Sequence, residues 1–442
     1  MDGRCAAGVS AFGLFLSVAP QEPSETLLTI PQQDTIRSWS DDPSAAVSAD
    51  GRTVVFVSYA RLAPGDLDTS TDIYTLDRAS GRVTLESVTA AAGRIGHDCA
   101  RPGISRDGRY LVFDCLVPRD GQFPAMSVVL RDRVEDVTRV IAGAKSGADE
   151  NAWTADAAIS EDGRTVVFES TMTDLVAGRD ENSVARDIYL FDVPSGVVRR
   201  VSVDNAGRQS PEGASYSPAV SADGRYVAFT STAGLDGPVT SPHGASAALR
   251  RSFSHIYVRD THLNVTRRVS VCPRGAAPNG RSWHPAISGD GRYVAFVSNA
   301  TNLVPGDRNR SPDVFLYDTS RGSTVLVSHK VKGGAANGAS ALPAISADGS
   351  VVAFQSDASD LVCAKQCGAT VEDINLLPDV FLFDRATTAV TRVSADRTGG
   401  WMAPSVAPAL DASGRVVTFT SRHPTDASDD RNDFDLFVRV PR

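Results

Sequence analysis

The sequence specifies an all-β fold, a seven-bladed β-propeller of four-stranded antiparallel blades, and three observations carry that reading. A turn segment recurs seven times along the 442 residues, with Asp-Gly in six copies and Ser-Gly in a worn seventh, a Phe stands at one fixed place after each turn, and about 15 to 25 residues later comes a second aromatic signature opening mostly on Asp. The turn segment reads SADGRTVVFVS from Ser48, SRDGRYLVFDC from Ser105, SEDGRTVVFES from Ser160, SADGRYVAFTS from Ser221, SGDGRYVAFVS from Ser288, SADGSVVAFQS from Ser346 and DASGRVVTFTS from Asp411.

Each element of the unit has its own signal. Strand A is a short entry such as Pro-Ala-Val-Ser at 218–221 or Pro-Ala-Ile-Ser at 285–288 and 343–346. The Asp-Gly pair then marks a hairpin, because Gly accepts positive φ and Asp bonds its own backbone. Strand B is the apolar run holding Phe56, Phe113, Phe168, Phe229, Phe296, Phe354 or Phe419. Strand C is DIYTLD from Asp72, DIYLFD from Asp187, HIYVRD from His255, DVFLYD from Asp313, DVFLFD from Asp379 or DLFVRV from Asp435, with SVVLRD from Ser127 a weaker member. Strand D follows a turn such as Pro194-Ser195-Gly196 and reads VRRVS from Val198 or TRRVS from Thr266. Equivalent positions 50, 107, 162, 223, 290, 348 and 413 are 57, 55, 61, 67, 58 and 65 residues apart, so the variation falls in loops, as in propeller blades.

The seventh repeat holds A, B and C but no D. Glu25 to Ile30, ETLLTI, resembles a D strand and precedes the first A strand, so it is expected to complete blade seven and leave no long unpaired edge. Residues 21–442 then form a single propeller, whose small cores between blades evade the size limit on a single hydrophobic core.

The chain is 42% hydrophobic and 22% charged with net charge −9 and has no basic cluster, which argues against nucleic acid. Arg4, the mostly apolar run Cys5 to Val18 and the small-residue site Ser17-Val18-Ala19 fit residues 1–20 to a signal peptide, with Asp2 and Pro20 departing from the usual pattern. No later apolar run approaches the roughly 20 residues that span a membrane. Export, to the periplasm, cell envelope or medium, is therefore expected. Pairing about Asp107-Gly108 sets Cys99 opposite Cys115, a sensible cross-strand disulfide. Cys363 and Cys367 could close a small ring or hold a metal, and Cys272 is left single.

With A to D antiparallel in turn, the D-to-A linkers and B-to-C loops share one face. Trp39, Trp153, Trp283 and Trp401 all fall in or beside D-to-A linkers, with Tyr216 at the place of Trp283. Such rings either plug gaps between blades or form a platform for a glycan or protein segment. Four residues before each repeat Ser, strand A offers one residue to the channel mouth: Ser44, Arg101, Asp156, Ser217, His284, Leu342 and Ala407. Arg101, Asp156 and His284 are the catalytic candidates; with Trp153, Tyr216, Trp283 and Trp401, Arg101 and His284 are also the ligand-binding candidates. The B-to-C loops repeat an acidic spacing: Asp66, Asp68 and Asp72; Asp307, Asn309 and Asp313; and, one residue longer, Asp180, Asn182 and Asp187. Oxygens alternating along a tight loop suit Ca²⁺, and Asx-turn capping explains the same residues.

The repeats resemble the TolB-type, WD-like (PD40-type) propeller repeat, whose blades read Pro-x-x-Ser-x-Asp-Gly, an apolar strand ending in Phe, then Asp-Ile-Tyr or Asp-Val-Phe. The likeness runs from about residue 25 nearly to the end. It implies an exported bacterial propeller, in a family of partner-binding envelope proteins, peptidase-linked propellers and polysaccharide lyases. Few residues precede Glu25 to make the α/β domain of TolB itself, and no G-x-S-x-G hydrolase domain follows the last blade. Lyase relatives resembling oligogalacturonate lyase need a histidine-rich metal site, whereas only His97 and His284 stand near strand A. The expectation is a monomeric binding or protein-interaction module with no required cofactor, Ca²⁺ being the ion its loops would take. The rival is a metal-assisted glycan lyase or hydrolase at the channel mouth.

Overall fold

The computed structural model describes residues 44–440 apart from 68, 89–92, 94, 120–121, 144–151, 237–252, 274–275, 363–376, 395–403 and 423–434. Those residues form seven antiparallel sheets, six of four strands running A-B-C-D across the sheet and the last of three running A-B-C. In blade 5 the strands are Ser282–Ile287, Tyr293–Ser298, Asp313–Asp318 and Ser323–Leu326. Blade 7 shows Ser405–Leu410, Val417–Ser421 and Asp435–Arg439. The segment 25–30, expected to supply its fourth strand, lies outside the described residues, as do Trp39, Trp401, Asp68, Cys363 and Cys367. The ring nevertheless closes, because Val416, Leu436 and Val438 of blade 7 share one apolar cluster with Val47, Val54 and Phe56 of blade 1.

One such cluster sits at every junction between blades. The repeat Phe anchors it: all seven are at most 1% exposed. Six of them stack on the facing aromatic of strand C within their own blade, with ring centroids 5.4 to 6.1 Å apart. Blade 2 lacks the pair because Val129 faces Phe113, which explains why its strand C signature is the weak one.

The Asp-Gly segment is a small hydrogen-bonded knot. In blade 5 the Ser288 hydroxyl donates to Asp290 Oδ1 at 2.6 Å and accepts from the Tyr293 amide at 2.9 Å, while Asp290 Oδ1 accepts from the Arg292 amide at 2.9 Å. In blade 7 the two residue types exchange places, and Asp411 accepts from Ser413 Oγ and the Arg415 and Val416 amides. The worn copy keeps the knot with its parts reversed. Turns of successive blades are also joined backbone to backbone: Ala222 N to Gly289 O at 3.0 Å, Gly289 N to Ala347 O at 2.8 Å, Ala347 N to Ala412 O at 2.9 Å.

Gly291 shows what the turn demands. Its φ is +71°, and a Cβ there would lie 2.1 Å from Tyr226 Cδ2 of the preceding blade. Left-handed strain and overpacking each cost about 1 to 3 kcal/mol, so Gly291→Ala should destabilise by on the order of 2 to 6 kcal/mol. Gly306, at φ +92° with nothing within 4 Å, isolates the strain alone. Urea unfolding of both alanine variants should show the larger loss at Gly291, and equal losses would rule out the packing role.

Candidate functional site

The channel differs at its two ends. Near the Asp-Gly turns a ring of aliphatic side chains, Val47, Ile104, Ile159, Val220, Ile287, Ile345 and Leu410, borders a space of about 130 Å³. The opposite mouth is a cavity of about 270 Å³ lined by Asp156, Ser217, His284, Leu342 and Ala407 together with Ser44. These are positions that the spacing before each repeat Ser assigns to the mouth.

A repeated bulge puts them there. In blades 2 to 7 two residues of strand A oppose the single repeat Phe of strand B, for instance Ser217 and Pro218 against Phe229. The first bulged residue is left-handed in every case: Arg101, Asp156, Ser217, His284, Leu342 and Ala407 have φ between 47° and 57°. A bulge twists its strand and re-aims a side chain. The second residue is Pro in five of the six, where no ladder donor is required.

The bulge exposes an amide that strand B of the preceding blade can cap. Asp114 Oδ2 accepts from the Asp156 amide at 2.8 Å, Glu169 Oε2 from the Ser217 amide at 2.9 Å, and Gln355 Oε1 from the Ala407 amide at 3.2 Å. All three acceptors directly follow a repeat Phe. They are functional-site residues that the sequence reading missed, although an Asp and a Glu within otherwise apolar core strands were a visible signal.

Around these carboxylates the mouth becomes charged. Arg101 turns to Asp114, 3.2 Å away, and Arg186 bonds Glu169 at 3.1 Å. The Arg186 guanidinium also lies over Tyr216 at 4.8 Å and near Trp153 at 5.9 Å, so these two aromatics and Arg186 form one group. Trp283 instead packs against the core between blades 5 and 6. Burial pushes Asp114 up to about 7 against the pull of Arg101. Burial, then the charge of Asp156, pushes Glu169 up to about 7 against the pull of Arg186. His284 is exposed on the far side of the mouth.

The acidic loops are extensively bonded. Asp72, Asp187, Asp313 and Asp379, which open strand C, each accept from a strand D serine, as Asp313 does from Ser328 at 2.7 Å. Asp66 accepts from the Tyr74 hydroxyl at 2.5 Å. Among the described residues no three His, Cys, Asp or Glu side chains are grouped to hold a metal ion. Cys99 and Cys115 form a buried disulfide, and Cys272 is buried with its thiol pushed up to about 11 by desolvation.

Fold and mouth together define a seven-bladed β-propeller with a polar channel entrance on its linker face, where the lining amides of Asp156 and Ser217 are capped by the carboxylates that pair with Arg101 and Arg186. Neither a family model nor a curated protein matches the chain by sequence. Similar solved structures include the propeller domain of the Trilobed protease from Pyrococcus furiosus, 10% identical over 90% of this chain and 95% of that one, with TM-score 0.54. Oligogalacturonate lyase from Vibrio parahaemolyticus is 13% identical over 95% of this chain and 98% of that one, with TM-score 0.50. TolB from Acinetobacter baumannii is 15% identical over 75% of this chain, which spans 61% of TolB, with TM-score 0.40. At these identities the likeness shows the propeller fold alone. No helix among the described residues is long and apolar enough to cross a membrane.

The mouth carboxylates set a pH dependence. Their folded values near 7 stand above the ordinary unfolded values of about 4, so ionisation opposes folding. Stability should fall as pH rises from about 4 to 7, by up to about 1.4 kcal/mol per pH unit for each group, and level off above. Asp114→Asn keeps an acceptor for the Asp156 amide and removes one titration. Its urea midpoint should decline less than wild type between pH 5 and pH 8, and an unchanged decline would show that Asp114 is not raised.

Proposed function

We propose that this protein is an exported binding propeller that takes a glycan or a protein segment into its channel mouth. The observation that carries the reading is the Arg186 group: a guanidinium held by Glu169 and lying over Tyr216 and Trp153, with its side chain still 40% exposed. Stacking fixes the plane of the guanidinium and leaves N–H donors for carboxylate or hydroxyl oxygens of a ligand. Arg101 repeats the ion pair, without the aromatic stacking, one blade away, its side chain 34% exposed beside buried Asp114. His284 supplies a further polar group across the mouth.

The buried Cys99–Cys115 disulfide supports an oxidising destination, in keeping with the leader-like residues 1–20. The lyase or hydrolase alternative would call for a histidine-rich metal site, and among the described residues lining the mouth His284 is the one histidine.

Titration with acidic and neutral oligosaccharides and with acidic peptides, followed by tryptophan fluorescence, tests the reading. Binding should perturb emission, with Trp153→Phe losing that signal and Arg186→Ala weakening capture roughly 30-fold, as for a binding hot spot. Arg321→Ala, on an exposed turn of the opposite face, should bind as wild type. Equal affinity of the Arg186 and Arg321 variants would overturn the mouth as the binding site.

A further inference from the structure

We propose that the B-to-C loop of blade 5 is a Ca²⁺ site, formed by Asp307, Asn309 and Asp313 with the carbonyl oxygen of Ala336. It is independent of whatever the mouth binds. The inference comes from setting blade 5 beside blade 3, where the same loop is already filled by the protein's own side chains.

In blade 3 the oxygens of Asp180, Asn182 and Asp187 converge on one nitrogen. Gln209 Nε2 lies 2.9 Å from Asp180 Oδ1, 2.6 Å from Asn182 Oδ1 and 2.6 Å from Asp187 Oδ2, three acceptors around a group with two protons. The charge is balanced beside it by Arg200, 2.7 Å from Asp180 and 3.4 Å from Asp187, which also bonds the Tyr189 hydroxyl. An amide nitrogen at the centre and a guanidinium at the side thus do together what a cation would do.

Blade 5 keeps the oxygens and loses every one of those fillers. The loops begin alike: Asn182 and Asn309 follow their Asp by two residues, and Ser183 and Arg310 next to them have φ of 61° and 60°. Strand register places Leu326 opposite Phe315 where Arg200 stands opposite Tyr189, so the guanidinium and the phenol are both replaced by apolar groups. In the D-to-A linker the bridge Val203↔Gln209 becomes His329↔Ala335, so the central amide becomes a methyl. The acids remain inside: Asp313 is fully buried and Asp307 is 6% exposed.

Asp307 supplies the second, independent sign. Its Oδ1 is buried with no hydrogen-bond partner, and its charge acts on Asp313. A buried carboxylate oxygen without donor or cation is costly, and the chemistry that relieves it is a hard cation with oxygen ligands. The remaining ligands are at hand. Asn309 Nδ2 now lies between Asp313 Oδ2 at 2.8 Å and Ala336 O at 2.9 Å, so a half-turn of its amide would put Oδ1 beside the same two oxygens. Two carboxylates, one amide and one carbonyl oxygen, completed by water, make the six to eight ligands that Ca²⁺ takes. Ala336 lies in the linker toward blade 6, so the ion would tie a B-to-C loop to a D-to-A linker on the mouth face.

Calorimetric titration of CaCl₂ into the chelator-treated full chain decides the matter. Saturable binding is expected at millimolar Ca²⁺ or below, with the melting temperature rising as the site fills. Asp307→Asn should remove one equivalent of bound Ca²⁺ or weaken it at least 10-fold, and Asp180→Asn should leave the titration unchanged. Leu326→Arg, which gives blade 5 the guanidinium of blade 3, should abolish the same equivalent while melting in chelator at or above wild type. Wild-type protein that takes up no Ca²⁺, or an Asp307→Asn variant that keeps wild-type stoichiometry and affinity, would overturn the proposal; that readout stands even if Leu326→Arg fails to fold.

Discussion

The Ser-x-Asp-Gly turn is the constraint on which the rest of this structure depends. A propeller blade presents one face to each neighbour, and among the described residues no strand of one blade pairs with a strand of the next. Here the turn does part of the work of holding the ring together. Its second residue hydrogen-bonds the equivalent residue of the next blade, and its Gly packs on the side chain that begins strand B of the blade before, Tyr226 under Gly291 and Tyr293 under Gly349. The arginine after the Gly adds an intrablade tie, since Arg225 and Arg292 each bond the Asp that ends strand C of their own blade. Asp260 is held down to about 2, chiefly by its hydrogen bond from Arg225, so that tie persists through ordinary acid conditions. One short motif therefore sets hairpin, blade and ring at once, which is why it recurs with so little change while the B-to-C loops vary freely.

Fixing the turns at one end leaves the other end to carry differences. With the ring held at the aliphatic floor, strand A reaches the mouth through a bulge whose first residue is left-handed, a conformation of appreciable cost for Leu342 or Ala407. The cost is borne at six blades in succession, so the bulge belongs to the architecture and not to any one site. What differs from blade to blade is the side chain it aims inward and the residue after the repeat Phe that caps its amide. Val57 and Val297 at that second position are apolar, Thr230 and Thr420 are small and polar, and Asp114, Glu169 and Gln355 are strong acceptors.

The fold was legible because every part of the repeat is local: a Gly turn and a Phe written in phase seven times, with an aromatic partner on strand C in six of the blades. Six of the seven mouth positions, all but Arg101, were legible too, since a fixed offset from the turn names them. The charged partners behind the mouth were not, because they lie on strand B of one blade and act on strand A of the next, a juxtaposition that no spacing within a repeat reveals. Trp153 and Trp283 show the same limit. Both fall near strand A, yet one stands beside Arg186 at the mouth and the other packs into the core between blades 5 and 6. Residue type and register alone could not separate them.

The distribution of polarity around the mouth is itself informative. Arg101, Asp114, Asp156, Glu169 and Arg186 all belong to blades 2 and 3, with Tyr216 of blade 4 beside them, whereas blades 6 and 7 offer Leu342 and Ala407. A channel that merely needed to be wet would have no reason to concentrate buried carboxylates in two adjacent blades, where each raises the cost of ionising the other. Asp156 acts on both Asp114 and Glu169 in this way. The two guanidiniums offset that cost only in part, which leaves the pair of carboxyls poised near neutrality. On the proposed reading, a ligand at this mouth lies off the ring axis, its polar groups toward blades 2 to 4 and its apolar side toward blades 6 and 7. The seven-fold frame fixes the walls of the entrance, and the departures from seven-fold repetition give it a direction.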